Sequence, residues 1–247
     1  MGNLTFGPWD GALLIDKPRG PTSHDVVDAI RRHTKVRKVG HCGALDPNAT
    51  GLLLLVLGKA TRLSNKLIAS DKAYKGTIKF GETTDSYDAE GKVIATQPVP
   101  PLTVEKLNEL AKDFTGDLMQ VPPMVSAAKV KGIPLYKLAR RGLEVERKPR
   151  LVHVYLFRFT RYEEPFGDFV MKCTKGTYVR SIAHELGEKI GCGAHLYALR
   201  RTEIGPFHVD RAIPLEEALG LPPEELQKRL IPILDLAAVI TQQESST

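Results

Sequence analysis

Gly40-His41-Cys42-Gly43-Ala44-Leu45-Asp46-Pro47-Asn48-Ala49-Thr50-Gly51, followed by the unbroken apolar run Leu52-Leu53-Leu54-Leu55-Val56-Leu57, decides how this chain is read. Three glycines, an Asp-Pro pair and a Thr-Gly pair make a tightly bent loop. Glycine supplies backbone conformations closed to other residues, and Pro47 holds Asp46 in the extended or turn region. The apolar run predicts a buried strand, although periodicity alone leaves a buried helix open. Asp46 is the single carboxylate on this stretch, on a loop anchored to the core, which is how a scaffold presents a catalytic group. Turn chemistry offers a plainer reading, since Asp before Pro commonly initiates a turn and caps its own backbone.

Working outward, the 247-residue chain can build one large core or two small ones, and its net charge of +6 points to an anionic partner. The charge is uneven: residues 211–247 carry −3 and residues 1–210 carry +9. Lys129 to Arg150 alone holds eight Lys and Arg against Glu144 and Glu146. A second basic cluster, Arg31, Arg32, Lys35, Arg37 and Lys38, precedes the loop. Solvated faces would show the same charge runs, so the anionic partner rests on their place beside the candidate site. Cys42, Cys173 and Cys192 have no pairing pattern, which fits a reducing, cytoplasmic setting. Cys192 and His195 have a ligand-like gap but no second pair, so no metal site is expected. No signal peptide is visible, and no apolar run is long enough to span a bilayer.

Along the chain, strands are predicted at Ala12–Ile15, Lys72–Phe80, Met124–Lys131, Leu151–Tyr162, Phe169–Cys173 and Ala194–Ile204. Helices are predicted from a Ser23 cap to about His33, over Lys59–Ile68, from Thr103 through Leu110, over Leu135–Arg141, and over Thr177–Ile190 with Gly191 as the stop. Gly81–Gly91 reads as a polar loop, and Pro165-Phe166-Gly167 as a turn between two strands. Arg180 falls off the apolar stripe of its helix. Strands scattered among helices, without strict alternation, indicate an α+β fold.

The Gly40–Gly51 string resembles the signature loop of the TruB family of tRNA pseudouridine synthases. Further segments resemble that family in the same order: Leu14–Ser23, Lys72-Ala73-Tyr74, Pro122–Ala127 with Gly132–Tyr136, Lys175–Ser181, and Gly193–Arg201. Cys42 stands where Thr or Ser is usual. The resemblance implies a catalytic domain over about 10–240, a mixed, mainly antiparallel sheet with flanking helices, and a basic RNA-gripping thumb inserted at about 122–150. The polar tail 241–247 leaves no room within this sequence for a complete C-terminal PUA domain.

The same resemblance implies the site. Asp46 would act at the sugar, Tyr74 would stack on the uracil with its phenol near C5, and Arg180 would pair with Asp46 to keep it ionised. His41, Tyr178, Leu199, Lys17 and Asp88 would bind the substrate nucleotide, and Lys129, Lys131 and Arg141 would grip the T-arm of tRNA. The implied reaction isomerises uridine 55 to pseudouridine after the base is flipped out, without guide RNA, membrane or obligatory protein partner. It is redox-neutral and transfers no group to a second molecule, so it requires no cofactor and no metal. Three other readings compete. Gly58-Lys59-Ala60-Thr61 would need a glycine with four residues between it and Gly58 and a hydroxyl directly after Lys59 to be a phosphate loop; Leu53 and Ala60 fill those places. A catalytically silent RNA-binding or RNA-folding protein would not need Asp46, Tyr74 and Arg180 together. A guide-dependent member of the same family would rely on partner proteins and a PUA domain.

Overall fold

The computed structural model describes residues 6–124, 126, 129–130, 132–135, 138, 141–143 and 145–245. In chain order its strands are β1 (Gly11–Lys17), β2 (Val39–His41), β3 (Thr50–Leu57), β4 (Lys72–Phe80), β5 (Glu82–Thr84), β6 (Val93–Thr96), β7 (Gly116–Gln120), β8 (Lys129–Val130), β9 (Ile133–Pro134), β10 (Arg150–Glu163), β11 (Phe166–Cys173) and β12 (Ala194–Ile204). Short strands follow at Phe207–His208, Ile213–Pro214 and Ile231–Pro232. Four helices matter to the site and its scaffold: α1 (Ser23–Thr34), α2 (Ser64–Ala69), α3 (Val104–Ala111) and α4 (Val179–Ile190). The chain forms two compact units, one of residues up to Lys72 with Arg200 onward, the other Ala73–Leu199.

In the first unit, β3 runs antiparallel to β1, with Leu13 opposite Leu55 and Ile15 opposite Leu53. The six residues from Leu52 to Leu57 are all fully buried. Alternation explains how one strand can be apolar throughout. Leu52, Leu54 and Val56 pack with Leu14, Cys42, Ile204 and Leu236, whereas Leu53, Leu55 and Leu57 pack with Leu13, Ile15, Val26, Val27 and Ile30 of α1. A strand covered on both faces reads as a continuous run instead of an alternating one. The cap of α1 corrects the sequence reading: Thr22, not Ser23, is the N-cap, and its hydroxyl and the Asp25 carboxylate form a reciprocal capping box. Ser23 is released for another task, described below. The predicted helix over Lys59–Ile68 is a 3₁₀ turn, Gly58–Leu63, followed by α2.

In the second unit the strands run in the order β12, β4, β11, β10, β7. The β10–β11 and β10–β7 pairs are antiparallel. Their shared core joins Phe80, Phe157, Phe159, Phe169 and Met171 to Leu107 and Ala111 of α3 and to Ile182, Ala183 and Leu186 of α4. Gly76 lets β4 sit this close: a Cβ there would lie 2.6 Å from the Phe169 ring and 2.7 Å from the Ala198 carbonyl. The predicted polar loop Gly81–Gly91 contains β5, which pairs with β6 in a hairpin the sequence did not announce. Phe166 and Gly167 belong to β11, so the turn is shorter than expected.

In the segment expected to form the thumb, β8 pairs with β9, Lys129 opposite Pro134. Of the strand predicted over Met124–Lys131, Lys129–Val130 is seen as a strand, and 125, 127, 128 and 131 lie outside the described residues. Leu135 and Leu138 are buried together, with Met124 and Val145 packed on them. Gly142, at φ +68°, closes the turn after them as expected of a helix stop. Arg141 is exposed in that turn, Lys129 is placed by its backbone, and Lys131 lies outside the described residues.

Candidate active-site loop and the Arg180 cradle

The first unit builds the signature loop on three side chains. The Lys17 ammonium, at the end of β1, donates to the carbonyls of Pro18 (2.9 Å), Pro47 (3.2 Å) and Ala49 (2.8 Å). The Ser23 hydroxyl accepts from the Leu45 N–H at 2.8 Å and donates to the Leu45 carbonyl at 3.1 Å. The Arg201 guanidinium, near the end of β12, donates to the carbonyls of Leu52 (2.8 Å), Gly43 (3.0 Å) and Ala44 (3.4 Å). The Ala49 N–H donates to the Asp46 carbonyl at 3.1 Å, closing a turn with Pro47 in its second position. Asp46 is thus half-buried on a loop whose carbonyls are held from Gly43 to Pro47 and again at Ala49. Gly51 makes the closure possible, with φ +98° and a position where a Cβ would lie 2.3 Å from the Arg201 carbonyl.

Lys17 and Arg201 are 0% and 1% exposed. Cations are buried only where hydrogen bonds replace the lost water, and each here has three backbone acceptors. Lys17, expected at the substrate, is placed under the loop, where its ammonium ties the carbonyls of Pro18, Pro47 and Ala49 together. Cys42 also finds its place in this frame. Burial pushes its thiol up to about 12, against the opposing charges of Lys72 and Arg201, so it packs as a small neutral group. His41 is half-buried, and its Nδ1 has no hydrogen-bond partner among the described residues. Burial, with help from Arg201 and His24, pushes the pKa of His41 down.

The second unit holds Arg180, Asp88, Tyr74, Tyr178 and Leu199. Arg180, at the start of α4, is 5% exposed instead of lying on a surface. Its Nη1 donates to the Ser86 carbonyl at 3.1 Å and lies 3.5 Å from the Asp88 carboxylate. Asp88, 4% exposed, also accepts from the Ser86 hydroxyl at 2.6 Å and from the Glu90 N–H at 3.1 Å. Asp88, expected at the substrate, is placed in this buried cluster against the Arg180 guanidinium. Tyr178 is the N-cap residue of α4. The Gln120 side chain brackets its peptide, accepting from the Tyr178 N–H (2.7 Å) and donating to its carbonyl (3.0 Å). Tyr74 on β4 and Leu199 on β12 are half-buried on neighbouring strands, packed against one core.

Sequence reasoning gave no site role to Arg201, Ser86 or Gln120, and read Ser23 as a helix cap instead of a support of the loop. A signal existed for Arg201: strand alternation places one of the adjacent pair Arg200-Arg201 on the buried side, where an arginine must find acceptors. Arg200 takes the other side and makes a two-pronged ion pair with Asp16 at 3.0 and 2.6 Å. Among the described residues, no cluster of His, Cys, Asp and Glu is arranged to hold a metal ion. No helix among them is long and apolar enough to cross a membrane.

Comparison with known proteins sets these features in context. The chain is similar to tRNA pseudouridine synthase B of Opitutus terrae, 52% identical over 231 residues that cover 94% of this chain and 96% of the relative. It is 44% identical to the Bordetella avium enzyme of the same description over 211 residues, 85% of this chain and 86% of that one. A chain from the crystal structure of a Cbf5-Nop10-Gar1 complex superposes with a TM-score of 0.71 at 29% identity. That match covers 92% of this chain and 61% of the Cbf5-complex chain. Residues 31–179 match the N-terminal domain of TruB family pseudouridylate synthases, and residues 180–236 match the tRNA pseudouridylate synthase B C-terminal domain. The two matches meet inside α4, so they do not coincide with the two compact units. Together they cover most of the sequence: the chain belongs to the TruB family of pseudouridylate synthases.

Proposed function

We propose that the chain isomerises uridine to pseudouridine at position 55 in the T-loop of tRNA, acting alone in the cytoplasm. Family membership supports the reaction class. The observation that carries the site is the loop clamped by Lys17, Ser23 and Arg201, which presents Asp46 on a backbone with little freedom to move. In this reading Asp46 is the catalytic carboxylate at C1′ or its neighbour. Tyr74 supplies a stacking face and a phenol for the C5 proton. Arg180 supplies a fixed positive charge, and Tyr178 and Leu199 line the base. His41, neutral at pH 7, lies beside the extruded nucleotide. The base must leave the T-loop stack first, at a cost of a few kcal/mol that backbone contacts from the basic thumb offset.

The test is to incubate the purified chain with unmodified tRNA transcript, without guide RNA or other protein, and map pseudouridine by position. We expect modification at position 55 alone. Asp46→Asn should leave folding and tRNA binding intact and lower turnover by several orders of magnitude, each tenfold being about 1.4 kcal/mol of barrier. Turnover within tenfold of wild type would remove Asp46 from the chemistry. Activity that appears only with added guide RNA or partner proteins would overturn the stand-alone assignment.

A further inference from the structure

Tyr87 lies between the two residues that hold Arg180, and its backbone is strained. Its φ is +64°, a left-handed conformation in which a bulky aromatic residue is an outlier. Its ring stacks on the His184 imidazole, with centroids 3.9 Å apart and planes 9° from parallel. His184 follows Arg180 by four residues on α4, so the two side chains share one face of that helix. The Nδ1 of His184 is buried without a hydrogen-bond partner among the described residues, and burial pushes its pKa down. No hydrogen bond at that nitrogen fixes the imidazole among the described residues, and its ring contact is the stack on Tyr87.

We propose that the Tyr87–His184 stack is a positioning device that holds the Ser86 carbonyl and the Asp88 carboxylate on Arg180. It rests on the reading of Arg180 given above. Ordinary packing is the competing account, and two observations weigh against it. A glycine or asparagine would take the left-handed turn without strain, yet a tyrosine is used. The ring it carries reaches the helix that bears Arg180, one turn away from it. Strain of this kind persists where the surroundings fix it, and it concentrates at functional sites. Within the turn, the Thr84 hydroxyl donates to the Asp88 carbonyl (2.8 Å) and the Ser86 hydroxyl to the Asp88 carboxylate (2.6 Å). Tyr87 donates to the Thr84 carbonyl (3.3 Å) and accepts from the Leu196 N–H (3.0 Å). These bonds fix the chain path, while the stack gives the turn a second link to α4 beside Arg180 itself. Without it, Ser86 and Asp88 would drift relative to the guanidinium, and the loss would appear in the rate rather than in tRNA affinity.

The experiment uses Tyr87→Gly, which removes the ring and relieves the strain, and His184→Ala, which removes the other half of the stack. Single-turnover pseudouridine formation at saturating enzyme should slow by about three- to tenfold in each, the worth of one aromatic stack. The tRNA Kd should stay within about twofold, and His184→Phe should restore the rate. Adding His184→Ala to an Arg180→Lys variant should cost nothing further, because the two act through one group. The nitrogen-15 guanidinium signal of Arg180 in the protein alone should broaden in both stack variants and sharpen again with Phe. That readout decides the proposal even if the wild type made no pseudouridine, an outcome that would fall on the proposed function instead. Wild-type rates in Tyr87→Gly and His184→Ala, equal losses in the Arg180→Lys background, or an unchanged guanidinium signal would each overturn it.

Discussion

Replacing Lys17 with methionine keeps the length of the side chain and removes its ammonium. Of the three carbonyls that lose a donor, Pro47 still receives the Gly20 N–H at 2.8 Å, and Pro18 is exposed, so its carbonyl can turn to water. The Ala49 carbonyl, on a residue 1% exposed, loses the Lys17 hydrogen bond with no solvent to replace it. An unsatisfied buried acceptor costs about 1–3 kcal/mol, and the gain from no longer burying a cation offsets part of that. A net destabilisation of about 1–2 kcal/mol follows. Trp9 is the single tryptophan and packs against the core of the first unit, so its fluorescence during urea unfolding reports the loss where it occurs. Turnover should fall as the Asp46 loop loosens. The decisive measurement is the salt dependence of tRNA binding. A lysine on a phosphate contributes roughly 0.7–0.9 to the slope of log K against log salt. The slope of Lys17→Met should equal that of wild type. A flattened slope with unchanged stability would return Lys17 to the RNA and refute the clamp.

Tyr74→Phe keeps the stacking face and loses the phenol, so it should bind tRNA normally yet fail to release tritium from C5-labelled uridine; wild-type release would end the proton-transfer role. Replacing Lys129, Lys131 and Arg141 together with Gln should weaken tRNA binding and flatten its salt slope by about two units, with the saturated rate kept; an unchanged slope would move the grip to Arg31–Lys38. Burial lowers the pKa values of His41, His184 and His195 below the ordinary histidine value of about 6.5. The unfolded chain therefore binds more protons in mild acid, so their contribution is present above about pH 6.5 and is lost as pH falls from there through the lowered folded values. Glu185, raised by burial, works in the opposite sense nearer the carboxylate range. Urea midpoints should drop between pH 7.5 and 5.5, and a flat or rising midpoint would contradict the burial of these imidazoles.

The elements with strong local patterns were legible in the sequence. β4 and β12 occupy the residues predicted for them, and β3 the apolar run. The β5–β6 hairpin was not, because Val93 and Ile94 point to solvent and leave no apolar alternation to read. Thr22 and Ser23 are adjacent hydroxyls, and only the tertiary contact of Ser23 with Leu45 shows which one caps. The site's supports were hidden for a different reason. Lys17 reaches Ala49 across 32 positions, Arg180 reaches Ser86 across 94, and Arg201 reaches Leu52 across 149. Local rules weigh near neighbours, and they assign lysine and arginine to the surface. The residues that do touch one another in sequence, Asp46 with Pro47, were read correctly as a turn, and the turn is there.

All three cysteines are buried, at 0% for Cys42 and 1% each for Cys173 and Cys192. The folded protein therefore offers no ready thiol to an alkylating reagent, and a cysteine introduced at an exposed site could carry a fluorophore without first removing the native ones. The burial of Cys42 adds a clock. Its sulfur lies beneath the residues that lead into Asp46, packed with Leu52, Leu54 and Val56. Its rate of modification in native buffer, followed by mass spectrometry of the peptide, counts how often that ground layer opens. The same count, taken with and without tRNA, would time the breathing of the loop in a molecule that carries no label at all.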